Sequence, residues 1–105
     1  VRLIDDQSNQ KYVSAVSLWE IAIKVSIGKL KMGGTISQIE KLLSNNGISL
    51  IDIKSSHLEQ LITLPFIHKD PFDRLIITQA IVEKLQIITD DQFIVKYPNL
   101  SVISL

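Results

Sequence analysis

The sequence predicts an α/β domain with a mainly parallel sheet, and three observations point there. Short β-branched runs at residues 12–17, 48–53, 86–90 and 101–105 are separated by segments of helical periodicity. No two successive runs are joined by a tight hairpin signal, and strands linked through helices pair in parallel. The 105 residues suffice for one core, so residues 1–105 form a single domain.

YVSAVS (12–17) is β-branched and small, the pattern of a buried strand. A helix follows from Leu18 to about Leu30, with Leu18, Ala22 and Val25 on one face and Trp19, Ile23 and Leu30 on the adjoining one. Apolar over much of its circumference, it is expected to be well buried. Gly28 and the GKLKMGG segment end it, and a second helix spans about 37–44 before NNG at 45–47. ISLIDI (48–53) is the next strand, and a short helix over 56–64 is closed by Pro65. After the loop FIHKD a long helix runs from Pro71 to about Leu85, burying Leu75, Ile76, Ala80 and Ile81. QIITD (86–90) is the third strand, FIVKYPN a helical turn and loop, and SVISL (101–105) the fourth strand. There is no internal repeat, low-complexity tract or linker.

An apolar fraction of 46% with 21% charged residues describes a globular chain. No apolar run approaches the roughly 18 residues of a membrane span, so no membrane association is expected. The absence of cysteine excludes disulfides and thiolate metal sites, and makes the cytoplasm the default compartment. Eleven basic against eleven acidic residues exclude a surface that grips nucleic acid all round, but not a local basic patch. The start at Val1, leading at once into RLIDDQSNQ, does not look like a natural beginning: either residues have been removed or the sequence is a fragment of something longer.

The stretch HKDPFDRLIITQ (68–79) concentrates His68, Asp70, Asp73 and Arg74 around Pro71. Helix capping accounts for Asp70 at the N-cap and Pro71 in the first turn. A second account makes one of the acids a metal ligand. Ligands of open α/β sheets sit beyond the carboxyl ends of the strands. Glu20, Asp73 and Asp91 all fall at that edge, the last directly after Thr89 and Asp90. Capping competes here too: Ser17 and Glu20 form a capping-box pattern that recurs at Ser37–Glu40 and Ser56–Glu59, Glu20 can pair with Lys24, and Asp90 or Asp91 can cap the next turn. Carboxylates about 5 Å apart repel by roughly 3 kcal/mol at an effective dielectric near 20. A converging group therefore raises a pKa or binds a cation. Oxygen ligands select Mg²⁺ or Mn²⁺, which suits phosphodiester hydrolysis.

Three blocks, VSAVSLWEIAIKVSIGKL (13–30), HKDPFDRLIITQA (68–80) and IITDDQFIVKYP (87–98), resemble the PIN-domain family, specifically its VapC-like toxin branch, over nearly the whole chain. The resemblance implies a three-layer α/β/α domain that cleaves RNA with Mg²⁺ or Mn²⁺ held by Glu20, Asp73 and Asp91. It implies Thr89 lining the site, Ser17, Asp70 and Asp90 in support, and Arg74, Lys69 and Lys24 toward RNA. It also implies a cognate antitoxin and a homodimer as partners. His68 reads as a loop residue, His57 as incidental, and Trp19 and Phe72 as core. The family opens with a strand ending in aspartate, in a pattern such as LLDTHxxLW, and no such segment is present. RLIDDQSNQ resembles the end of the helical region after that strand, so Asp5 and Asp6 are not promoted to the lost ligand. The expected sheet is thus incomplete at the N-terminus, with two half-sheets exposing unpaired edges. Two readings stand: a ribonuclease toxin domain lacking its opening segment, or a catalytically silent remnant that dimerises or binds antitoxin.

Overall fold

Leu-Ile-Asp at residues 3–5 forms a strand in the middle of the sheet, where the sequence pattern suggested a gap. The computed structural model describes residues 3–6, 10–89 and 91–103. Within them β1 (Leu3–Asp5) lies between β2 (Lys11–Ser14) and β4 (Gln86–Ile88) and is antiparallel to both. β3 (Ile48–Ile51) pairs in parallel with β2, and β5 (Ser101–Ile103) with β4. The order is β3-β2-β1-β4-β5, a mixed sheet in which only β1 is reversed. The expectation of two half-sheets is therefore corrected, as is that of a helical remnant where it covers Leu3–Asp5; residues 2 and 7–9 lie outside the described residues. Leu3, Ile4 and Asp5 pair with β2 on one side and β4 on the other, which satisfies both inner edges. The last two residues of the expected final strand, and the Asp90 assignment, fall outside the described residues.

Helix α1 spans Ala15–Ser26, α2 Ile36–Asn45, α3 Ser55–Ile62 and α4 Pro71–Glu83, with a 3₁₀ turn at Ile94–Lys96. The β2→β3 and β3→β4 connections join parallel strands but travel in opposite directions across the sheet. α1 and α3 both pack against α4, and α2 lies beside β3.

α4 is the central helix. Seven successive residues, Arg74 to Ala80, are buried, because α3, α1 and β4 all pack on it. Its Leu75, Ile76, Ile77 and Ala80 join Ile4, Ile87, Ile94 and Tyr97 in one core. α1 behaves otherwise. Only Val16, Ser17 and Leu18 are buried, whereas Trp19 and Ile27 are 50% and 59% exposed. The expectation of a well-buried helix is corrected: α1 leans on β2 and α4 through its first turns, and its later apolar stripe faces outward.

Candidate functional site

The acid-rich loops at the carboxyl edge of the sheet are built from caps. VSAVS offers two serines three residues apart, and Ser14 rather than Ser17 is the N-cap of α1. Its Oγ accepts the Val16 N–H and donates to Gln79 Oε1, which ties the cap to α4. Ser17 lies one turn inside, its buried Oγ without a hydrogen-bond partner among the described residues, so the expected Ser17–Glu20 capping box does not form. The other two boxes shift likewise. Thr35 with Gln38 caps α2, and the His57 ring, buried beneath α3, accepts the Lys54 N–H through Nδ1.

Asp70 is the N-cap of α4, as the sequence indicates. Its Oδ1 accepts the N–H groups of Phe72 (2.8 Å) and Asp73 (3.1 Å), with Pro71 at the first helical position. This fixes the Asp73 carboxylate at the positive end of the helix dipole. Asp91 is fixed by a similar turn after β4. Its N–H donates to Thr89 Oγ1, and its Oδ1 accepts from Phe93 (2.8 Å) and Ile94 (3.3 Å).

His68 joins the two. Its backbone N–H donates to the Tyr97 hydroxyl at 2.7 Å, stitching the loop before α4 to the 3₁₀ turn. Its Nδ1 accepts the Asp70 N–H, so the ring proton sits on Nε2. Nε2 lies 3.2 Å from Asp91 Oδ2 and 3.3 Å from Asp73 Oδ2. His68, Asp73 and Asp91 thus place one ligand-capable atom each within 4.8 Å of one another. The sequence reading treated His68 as an ordinary loop residue, and its central place was missed. The available signal was the spacing HxD, which lets an imidazole accept the N–H of the N-cap aspartate.

Glu20 lies outside that group. It pairs with Lys24 one turn along α1 at 2.9 Å. The Lys24 ammonium is raised above its ordinary pKa, first by the hydrogen bond to and charge of Glu20 and then by the charges of Asp70 and Asp73. Lys69 is exposed on the same loop as His68. Arg74 is turned inward. It donates to the carbonyls of Pro65 (2.9 Å) and Leu64 (3.2 Å) and stacks on the Phe66 ring at 3.8 Å. Trp19, expected in the core, is half exposed and meets Phe72 edge to face. Asp5 sits at the opposite edge of the sheet, in register with Lys11 and Gln86 and bridged to Lys11 at 2.8 Å. The reversed β1 thus fills the sheet without adding an acid to the site.

Two carboxylates that reach one point from separate elements, on an α/β sheet of this strand order, narrow the family. The PIN-domain description matches residues 1–100. The chain belongs to the PIN-domain family. PIN domains are generally divalent-metal-dependent nucleases that act on nucleic acid. No curated protein and no solved structure gives a significant match. No helix among the described residues is long and apolar enough to cross a membrane.

The donors of this PIN domain fit a hard divalent ion. Asp73 and Asp91 supply oxygens, the ligand type that Mg²⁺ and Mn²⁺ favour. They converge on a single N–H, that of His68, with which a cation would compete for the same two oxygens. Burial pushes the Asp91 carboxyl up, but hydrogen bonds from the Phe93 N–H, the His68 ring and the Ile94 N–H together outweigh it and leave the pKa below the ordinary value. A lowered folded-state pKa adds stability above the unfolded carboxylate range, which is lost as pH falls through the folded value. In chelator, Asp91→Asn should therefore melt below wild type at neutral pH. That gap should close on acidification below about pH 4, as read by thermal melts across pH.

Proposed function

We propose that this PIN domain is an endoribonuclease that hydrolyses RNA phosphodiester bonds with Mg²⁺ or Mn²⁺, acting as a VapC-like toxin of a toxin–antitoxin pair. The meeting of Asp73, from the start of α4, with Asp91, from the turn after β4, carries this reading. Those two carboxylates would hold the ion, with Glu20 completing the set from α1. A bound ion would activate water and offset charge developing on the phosphate. Asp70 and Thr89 keep the two carboxylates in place, and the His68 Nε2–H supplies a proton between them. Lys69 and Lys24 draw phosphate to the margin of the site.

Calorimetric titration of Mn²⁺ should give a single site that is lost in Asp91→Asn; unaltered binding would sink the assignment. Glu20→Gln should lower Mg²⁺-dependent cleavage at least tenfold with little change in melting. The Ser14 cap makes Glu20 dispensable for starting α1, so Glu20→Ala should melt close to Glu20→Gln. A separate loss of about 1 kcal/mol in the alanine variant alone would mean that Glu20 caps after all.

A second reading has its own support. Trp19, Ile27 and Leu30 on and after α1, and Leu42 on α2, are exposed large apolar side chains of the kind that a protein partner covers. They favour a cognate antitoxin or a second copy, in a cytoplasmic complex, and they serve an active toxin and a catalytically silent PIN remnant alike.

A further inference from the structure

Beside the acids lies a feature that metal binding does not use. Ile67, His68, Lys69, Asp70 and Phe93 line a cavity of about 290 Å³, near the low end of small-ligand pockets and suited to one flat ring system. Its walls are apolar, and Phe93, 45% exposed, is the platform. The Phe93 ring meets His68 edge to face, centroids 6.0 Å apart, and the Lys96 ammonium lies 5.6 Å from its centroid. His68 is shared: one side of its surroundings is this cavity, the other the Asp73–Asp91 pair. Phe93 is held there because its own N–H caps onto Asp91.

We propose that this cavity is a nucleobase subsite in which Phe93 stacks one base of the nucleic-acid chain while Lys69 and Lys96 receive the adjoining phosphates. The inference rests on the nuclease reading and deepens it. An apolar slot with an aromatic floor fits a base, and the flanking cations match an anionic tether, which an uncharged apolar guest would not need. A base can enter only when unpaired and unstacked, so the cavity selects single-stranded segments. Continuity through His68 puts the nucleotide that it holds next to the carboxylates. Phe93 is therefore a positioning residue.

Binding of a short labelled single-stranded oligoribonucleotide is measured in the Asp73→Asn background, which separates binding from cleavage. Adding Phe93→Ala should weaken it by roughly ten- to a hundredfold, the loss of one stacked base, and Phe93→Trp should restore it. The same RNA annealed into a duplex should show no such dependence. With Asp73 intact, Phe93→Ala should bind Mn²⁺ as wild type does. Unweakened binding by Phe93→Ala, or failure of Phe93→Trp to restore it, overturns the subsite. So does a loss of Mn²⁺ binding in Phe93→Ala, since Phe93 would then act only through His68. In each of these cases wild-type, metal-dependent cleavage leaves the nuclease reading standing. No RNA binding by any form overturns both.

Discussion

Asp73→Asn should abolish metal-dependent RNA cleavage, a loss on the order of a thousandfold, as when a principal electrostatic group is removed, while the domain stays folded. The side chain keeps its size and the α4 N-cap is untouched, because Asp70 and not Asp73 accepts the first-turn N–H groups. Loss of the negative charge at the helix start costs about 0.3–1 kcal/mol. Relief of repulsion from Asp91, which shares the His68 N–H with Asp73, offsets part of that cost. Kinetics with Mg²⁺ in excess and a thermal melt of the same sample decide the matter. Persisting cleavage would remove Asp73 from the chemistry. Collapse of the melt would make its charge a structural one.

The fold was legible where local chemistry and tertiary packing agree. DPFD announces a capped helix start, and α4 begins where that pattern puts it. The strands after Asn46 and Lys84 likewise fall within the runs read from the sequence. Ambiguity entered where one signal had two equivalent owners. Ser14 and Ser17 are both plausible caps, and only the contact from Ser14 to the buried Gln79, 65 positions away, decides between them. β1 was missed for a different reason: RLIDDQSNQ resembled the end of a helical region, and the place of Leu3–Asp5 as a strand comes from the two edges that it joins.

The site shows the same division. The shared edge of Asp73 and Asp91 was legible because Asp91 follows a strand that ends there and Asp73 opens the helix that leads into that strand. His68 was not, since its importance lies in reaching Asp91 across 23 residues. The exposure of Phe93 was also hidden, because an aromatic in a short turn has no pattern that separates surface from core. Glu20 illustrates the limit. Its i,i+4 bond to Lys24 is the local alternative that the sequence itself offered, and the structure realises that bond.

Arg74→Met should destabilise the domain by about 3 kcal/mol, which for a chain of this size lowers the melting midpoint by roughly 10–20 °C. Few substitutions outside the apolar core should cost as much. The guanidinium is buried and donates through separate nitrogens to the Leu64 and Pro65 carbonyls, holding the chain between α3 and α4. Methionine fills much of the volume but removes the donor from both carbonyls, of which that of Leu64 is met by a buried bond. Arg74→Lys should recover only part of the loss, because a single ammonium lacks the planar fork that spans two acceptors and stacks on Phe66. The sequence reading sent Arg74 to an RNA phosphate, and the two roles separate cleanly. A phosphate contact would leave the melt unchanged and flatten the salt dependence of RNA binding by about one phosphate. An inward-turned arginine lowers the melt and leaves that slope alone at temperatures where the variant is folded. Placed at the hinge into α4, Arg74 then serves the site indirectly, by fixing the loop from which His68 reaches both acids.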